Sequence, residues 1–427
     1  FDVFDCGNEE SAVSTIWVQV EPVASVDFDD GAGQLCAFIA PDVYVDSSIG
    51  QECLDEGCGF SNSPYKKIKR TLEMINATDS NPITIHLAAG TYSPDRGESF
   101  PIPMINHINV KGEDEETTIL DAMQTGRVIE MENCNNNTIS DLTITGGLSE
   151  GDFPDNNGGG MYVVFSSPTL THVTITGNTA GYGGGIYTRY SNPTLTHVTI
   201  AGNTAPSGGG MRLYNSNPTL THVTITGNTA DDGGGMRLYK SNPTLTHVTI
   251  SGNLANSSSG GMELYESNPT LTHVTITGNT ASSYGGGMYL YTSNPALTHV
   301  TIAGNTASSS GGGIFLEVSN PTLTSSILWN NSPQSIYLEG STSVITITYS
   351  DIEGGFEGEG NIDADPLFTD PDGDYTLQEG SPCIDSGHPN LWYQDLDGTA
   401  SDMGATGGLF ALPNFTSYDF GEVGDIG

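Results

Sequence analysis

Residues 216–239 read SNPTLTHVTITGNTADDGGGMRLY, and close copies of this unit fill the middle of the chain. The prolines of the unit recur every 25 or 26 residues, at Pro168, Pro193, Pro218, Pro243, Pro269, Pro295 and Pro321. Six of the nine histidines keep the same interval, at His172, His197, His222, His247, His273 and His299. A repeat of this length is typical of proteins in which each unit stacks on the next one.

The unit predicts three short strands and no helix. Thr, Val, Ile and Tyr favour strands, whereas Ser-Asn-Pro, Gly-Asn-Thr and Gly-Gly-Gly mark turns. A leucine-rich repeat would need a Leu-x-x-Leu-x-Leu frame, and a calcium-binding nonapeptide repeat would need Asp where Met236 follows the glycines. We therefore expect an all-β protein, a right-handed parallel β-helix with roughly ten or eleven coils at about 4.8 Å per coil.

Alternation along the strands predicts which side chains face the core. Val223, Ile225 and Met211 point inward together with their copies, and the residues between them point outward. The outward residues after the glycines form a predicted binding face: Tyr162, Tyr187, Arg189, Arg212, Tyr214, Arg237, Tyr239, Tyr265, Tyr289 and Tyr291. Aligned aromatic rings suit sugar stacking or a protein contact, although Tyr also simply favours strands.

Three parts of the sequence resemble known β-helix families. The Gly-Gly-Gly-Met step after Ile-Thr-Gly-Asn is similar to the motifs of the polymorphic outer-membrane β-helix adhesins. The chain also resembles bacterial secreted pectin-lyase-like β-helix proteins, at VYVDSSIG (43–50), SPYKKIKRTLEMI (63–75), ITIHLAAGTY (83–92), DADPLFTDPDGDYTLQEGSPCIDSGHPN (363–390) and DLDGTASDMGATGG (395–408). The resemblance implies an extracellular or cell-surface rod, without implying one activity.

These patterns divide the chain into four regions. We expect an N-terminal β segment or cap at 1–42, and a β-helix at 43–365 whose regular repeats cover 158–325. An acidic C-terminal cap follows at 366–408, and 409–427 is either the start of another module or an assembly strand. Residues 64–76 place apolar side chains at helical spacing, which predicts an amphipathic helix across the open end of the first coil.

Composition excludes several partners. The chain has 427 residues and carries 51 acidic against 11 basic side chains, a formal charge of -40. Nucleic acid and anionic membranes would be repelled. The sequence has no run of about 18 apolar residues, so we expect no transmembrane segment.

Two acidic loops are candidate calcium sites. Carboxylates alternate around a glycine turn in DPDGDY and in DLDGTASD, which suits the oxygen ligands that Ca²⁺ prefers. The loops lack the distal Glu of a full EF-hand loop, and plain acidic turns are the alternative. The candidate ligands are Asp370, Asp372, Asp374, Asp395, Asp397 and Asp402.

Four of the six cysteines are disulfide candidates. Cys53 and Cys58 are close enough in sequence for a local bridge, and Cys6 with Cys36 would close the N-terminal segment. Reduced, buried thiols are the alternative.

Strict repetition argues against catalysis, which needs a few unlike groups around one substrate. The one mixed patch that the repeats offer is Asp231 with Arg212 and Arg237. Since the histidines are copied six times without carboxylates, they predict a structural stack and not a metal site.

We therefore expect a secreted or surface rod that is structural or adhesive, is not an enzyme, and self-associates through its ends or binds a surface glycan or protein. The alternative is a β-helix that binds or degrades polysaccharide.

Overall fold

The computed structural model describes residues 41–49, 58–370, 373–395 and 398–408. The predicted N-terminal segment up to residue 40 and the tail 409–427 lie outside the described residues, so self-association through the ends stays a prediction. Within the described ranges, no helix has the length and apolar character needed to cross a bilayer.

Ten parallel strands, one per coil, form the sheet that follows the glycine triplets. We call it the ten-stranded sheet. Its strands are Ile102–Pro103, Ile129–Glu132, Met161–Val164, Ile186–Arg189, Met211–Tyr214, Met236–Tyr239, Met262–Tyr265, Met288–Tyr291, Ile314–Glu317 and Ile336–Glu339. Equivalent residues pair in register, for example Arg212 with Arg237, so the coils are stacked copies and the predicted parallel β-helix is confirmed.

An 18-stranded parallel sheet forms the other long side of the coils. We call it the bent sheet, because most repeats turn at the histidine, which has a left-handed backbone in every copy, with φ of 54° at His222. Histidine is among the side chains that tolerate this conformation. The strands are Asp42–Val45, Ile83–Leu87, Gly90–Tyr92, Ile108–Gly112, Thr118–Asp121, Thr138–Thr145, Thr169–Thr176, Thr194–Ala201, Thr219–Thr221, Thr224–Thr226, Thr244–Thr246, Thr249–Ser251, Thr270–Thr277, Ala296–Ala303, Thr322–Thr324, Ile327–Trp329, Thr346–Thr348 and Asp351–Ile352.

Shorter elements complete the coils. A four-stranded sheet contains Thr229–Asp232, Leu254–Ser258, Thr280–Ala281 and Thr306–Ala307, and a two-stranded sheet pairs Leu148–Ser149 with Thr179–Ala180. The antiparallel hairpin Phe368–Asp370 and Asp374–Leu377 follows the last coil. The α-helix is Ile68–Met74, within the predicted 64–76, and 3₁₀ turns occupy Pro94–Arg96 and Leu391–Tyr393.

The interior is formed by the predicted inward ladders. Met211, Leu213, Val223 and Ile225 are fully buried, and so are most of their copies. The glycine triplets are needed because neighbouring coils touch there: a Cβ on Gly210 would lie 2.6 Å from a backbone oxygen of the next coil.

A buried asparagine ladder closes the corner after the bent sheet. The side-chain Nδ2 of Asn203 donates to Ile175 O at 2.9 Å and to Asn228 Oδ1 at 3.0 Å. Its Oδ1 accepts from both the backbone and the side-chain N–H of Asn178, each at 3.0 Å. Both donors and both acceptor positions of the amide are therefore satisfied, which makes a buried polar ladder stabilising.

The C-terminal segment, residues 366–408, packs on the outer side of the last coils of the bent sheet. Backbone N–H groups of Gly404 and Ala405 donate to Ser325 O at 2.8 Å and to Thr301 Oγ1 at 3.0 Å. A second apolar cluster forms beneath it from Ala303, Ile327, Phe368, Cys383 and Met403. The segment thus covers part of one outer face of the rod.

Candidate functional site

The second residue of each strand in the ten-stranded sheet points away from the core, yet many of these residues are covered. Tyr162, Tyr187 and Glu263 are only 6%, 4% and 6% exposed. We call these residues the floor row. In strand order they are Glu130, Tyr162, Tyr187, Arg212, Arg237, Glu263, Tyr289, Phe315 and Tyr337.

The connections before the glycine triplets cover this row and form a wall beside it. Arg237 Nη1 donates to Ser207 Oγ of one connection at 3.1 Å. The ring of Tyr284, from another, lies 4.8 Å from that of Phe315. Floor and wall together form what we call the groove. Tyr162 and Tyr187 point outward as the sequence predicts, but they are covered, because alternation gives the direction of a side chain and not what folds over it.

From Ile186–Arg189 to Ile314–Glu317, the fourth residue of each strand forms the open rim of the groove. These side chains are partly exposed, and the tyrosines stack from coil to coil with ring centroids 5.1, 5.3 and 4.6 Å apart. The rim row is Arg189, Tyr214, Tyr239, Tyr265, Tyr291 and Glu317. Such a row offers flat apolar surfaces next to phenol hydroxyls, which is what a sugar ring needs.

A charged cluster occupies the centre of the floor. Arg237 Nε lies 2.7 Å from Glu263 Oε2, and its Nη1 lies 3.3 Å from Asp232 Oδ2. Burial raises the pKa of the Glu263 carboxyl to about 7, against the opposing charge of Arg237. Burial, and after it the charge of Arg237, lower the pKa of Arg212 to about 10, so this guanidinium stays cationic at neutral pH.

Three of the arginines carry a buried nitrogen that lacks a hydrogen-bond partner among the described residues. They are Arg212 at Nη1, Arg189 at Nε and Arg237 at Nε, and the last of these lies in the ion pair with Glu263. Buried polar atoms are normally satisfied, so an unpartnered guanidinium nitrogen in a groove indicates a place for an acceptor group from a ligand.

The structure contains the predicted patch of acidic and basic side chains around Arg212 and Arg237, but the acid in it is not Asp231. Asp231 is exposed and its Oδ1 accepts from Asn256 Nδ2 at 3.3 Å, whereas the next residue, Asp232, contacts Arg237. Sequence reasoning missed Glu263 as the central acid. The signal was present, because Glu263 occupies the repeat position held by Arg237 in the preceding coil.

A recess of about 450 Å³ lies beyond the low-numbered end of the floor row. Arg127 and Glu130 line it, and they are 3.3 Å apart. The guanidinium of Arg127 also lies 4.5 Å from the ring centre of Tyr162 and donates to Asp155 O at 2.8 Å. Arg127 therefore ties the wall to the floor row.

The histidines stack on the opposite outer face, as predicted. Neighbouring rings are 4.9 to 5.1 Å apart. The ladder is exposed at His172 but buried at His299, whose Nε2 lies 2.8 Å from Ser401 Oγ of the C-terminal segment. Burial lowers the pKa of His273 to about 4 and that of His299 to about 3.

The calcium candidates are only partly described, since Asp372 and Asp397 lie outside the described residues. Asp370 and Asp374 pair across a hairpin. Asp395 accepts hydrogen bonds from the backbone N–H groups of Gly408 and Asp402, and burial raises its pKa to about 6. The described ranges contain no group of three His, Cys, Asp or Glu placed to hold a metal ion. Calcium binding stays a prediction, to be checked by thermal unfolding with and without a chelator.

The disulfide candidates also stay predictions. Cys58 is buried, and Cys6, Cys36 and Cys53 lie outside the described residues. Cys134 and Cys383 are buried free thiols.

The family model described as the right handed beta helix region matches residues 106–272 and 246–362, more than half of the sequence, and the chain belongs to this family. No curated protein matches the sequence. This chain is similar to the crystal structure of pectate lyase Pel9A, with a TM-score of 0.53 and 13% identity over 85% of this chain and 95% of that one.

Two further solved structures are similar at lower scores. The A-module of Azotobacter vinelandii mannuronan C-5 epimerase AlgE4 has a TM-score of 0.42 and 15% identity over 66% of this chain and 82% of that one. Pectin methylesterase from carrot has a TM-score of 0.36 and 12% identity over 76% and 83%. At 13% identity, the likeness to pectate lyase Pel9A shows the fold alone.

The prediction that the chain is not an enzyme is wrong. The solved structure most similar by TM-score among those described here, at 0.53, is a pectate lyase, an enzyme on the same scaffold. The prediction assumed that similar coils cannot bring unlike groups together. However, Arg212, Arg237 and Glu263 lie side by side in the floor row, and Asp232 contacts Arg237. Unlike groups therefore do converge, and they do so on one face of a regular solenoid.

Proposed function

We propose that this chain acts on an acidic polysaccharide bound along the groove. The observation that carries the proposal is the buried Glu263 carboxylate beside Arg237, with the unpartnered Nη1 of Arg212 on the same floor. Guanidinium groups recognise carboxylates, and a uronate sugar carries one carboxylate per ring. The stacked tyrosines of the rim would support the sugar rings.

The same groups fit a β-elimination. Arg212 and Arg237 would hold and neutralise the uronate carboxylate, which makes the adjacent C5–H bond more acidic. Glu263 would take that proton and the C–H electron pair would form the C4–C5 double bond. The glycosidic oxygen would leave C4 with the electron pair of the C4–O bond and take a proton from water. A base with a pKa of about 7 is matched to this role near neutral pH.

Glu263→Gln tests the proposal, because it removes the base and keeps the size of the side chain. We expect turnover, followed by the ultraviolet absorbance of the unsaturated product, to fall at least about 100-fold while polysaccharide binding persists. Glu266→Gln is the matched control, since Glu266 lies three residues away, pairs with Lys240 and should leave turnover unchanged.

The pH profile gives a second readout. Because the base must be ionised, kcat/KM should rise with pH and level off above about 7. Wild-type protein that neither binds nor converts any acidic polysaccharide would overturn the proposed function.

The proposal also concerns where the protein is found and whether it self-associates. We place the protein outside the cell, where such polymers are found and where the family resemblance also points. A structural or adhesive role through self-association rests on terminal segments outside the described residues and stays a prediction.

A further inference from the structure

The positive charge of the groove is confined to three consecutive coils. Arg189, Arg212 and Arg237 stand on the adjacent strands Ile186–Arg189, Met211–Tyr214 and Met236–Tyr239. They are three of only 11 basic residues in a chain of net charge -40. These three are the basic side chains of the floor and rim rows, and Arg237 among them is paired with Glu263 and Asp232.

Acidic residues border this segment on the low-numbered side. Glu130 stands in the floor row and Glu132 in the line of the rim row, on the strand two coils before that of Arg189. Glu150 and Asp155 line the recess beside Glu130. Arg127 pairs with Glu130 at 3.3 Å and offsets that one charge, which leaves Glu132, Glu150 and Asp155 as the acidic excess on this side.

Acidic residues also border the high-numbered side. Glu317 takes the rim position three coils after Tyr239 and accepts a hydrogen bond from the hydroxyl of Tyr289 at 2.6 Å. Glu339 follows at the same position in the next coil and is exposed. Between the arginines and these acids, the rim holds only tyrosines, Tyr265 and Tyr291.

The spacing between coils gives the length of the arginine-bearing segment along the rod. The ring centroids of Tyr214 and Tyr239, one coil apart, are separated by 5.1 Å. Three arginine-bearing coils therefore span about 10 Å along the rod. A carboxylate of the ligand meets guanidinium groups within this distance. Beyond it, the ligand meets acidic side chains on the low-numbered side, and the tyrosines and then Glu317 on the high-numbered side.

We infer that the groove selects a polysaccharide in which a short acidic block is bordered by neutral sugars. This inference rests on the proposed function and adds the substrate class. The acidic block would lie over Arg189, Arg212 and Arg237, and neutral sugars would lie over the flanking glutamates. A uniformly charged polymer would set its carboxylates against Glu132 and Glu317, and such like-charge contacts reject a competing ligand.

Binding of three polymers to the full chain tests the inference by calorimetric titration at low salt. The probes are a fully ionised polyuronate, the same polymer with most carboxyls methyl-esterified, and a neutral polysaccharide. We expect the partly esterified polymer to bind about tenfold more tightly than the fully ionised one. Tighter binding of the fully ionised polymer would overturn the inference but leave the proposed function standing. No binding to any polymer would overturn the proposed function itself.

A variant of the protein tests the same inference with each polymer unchanged, so that differences in polymer shape play no part. Glu132→Gln with Glu317→Gln removes two flanking charges, leaves the Arg127–Glu130 pair intact and keeps an acceptor for Tyr289. We expect affinity for the fully ionised polymer to rise about tenfold and affinity for the esterified polymer to stay unchanged. Glu357→Gln, an exposed change away from the groove, is the control. Equal effects of the double variant and the control would contradict the inference.

Discussion

The two long outer faces of the rod are built from the same repeat but differ in regularity. On the bent sheet, histidine recurs in six successive repeats and the rings stack at near-constant spacing. On the ten-stranded sheet, the floor row changes from Tyr187 to Arg212, Arg237, Glu263 and Tyr289. Repetition stabilises the solenoid, and departure from repetition marks the site.

The largest loss of stability should come from substituting a residue that is the same in every repeat, because such residues hold together the solenoid that both faces share. Asn228→Ala removes four side-chain hydrogen bonds and leaves buried groups on Asn203 and Ile200 without partners. We expect the free energy of unfolding to fall by roughly 3 to 5 kcal/mol, measured by denaturant titration. The control Asn217→Ala removes an exposed acceptor and should cost less than about 1 kcal/mol. Equal costs would show that the buried ladder has no special role.

Acid should weaken the bent-sheet face where the C-terminal segment covers it. Burial lowers the pKa values of His273 and His299 to about 4 and about 3, below the ordinary value of about 6.5. Between these values the unfolded chain binds more protons than the folded one, so stability is lost as the pH falls from about 6.5 towards 3. The free energy of unfolding, measured at a series of pH values, should decline across this window.

Two variants locate that pH dependence. His299→Asn should flatten the decline, because the buried titrating group is gone. His172→Asn, at the exposed end of the ladder, should leave the profile unchanged. Identical profiles for both variants would mean that the buried histidines do not cause the loss.

The smallest effect is expected in the middle of the histidine ladder. His222→Asn keeps a residue that tolerates the left-handed backbone, with φ of 54°, and the site is partly exposed. We expect a change in the free energy of unfolding within about 0.5 kcal/mol and no change in polysaccharide binding. A loss of binding would place part of the functional site on the bent sheet and would contradict the contrast between the two faces.

The repeat pattern was sufficient to predict the solenoid and its interior. Alternation placed Val223, Ile225 and Met211 in the core, where all three are fully buried. These features depend on local periodicity, which a single sequence contains.

The groove could not be predicted in the same way. Its floor is covered by connections whose path depends on neighbouring coils, as the contact of Arg237 with Ser207 shows. Asp231 and Asp232 are adjacent in sequence, and only the register decides which one meets Arg237. The placement of the C-terminal segment on the bent sheet depends likewise on long-range contacts.

The central claim is that the arginine segment of the groove binds acidic polysaccharide, and calorimetric titration of Arg212→Met against a partly methyl-esterified polyuronate tests it most directly. Arg70→Met is the matched control, since Arg70 lies on the helix and pairs with Glu73. We predict at least about tenfold weaker binding for Arg212→Met and unchanged binding for Arg70→Met. Equal affinity of the two variants and the wild type would contradict the account.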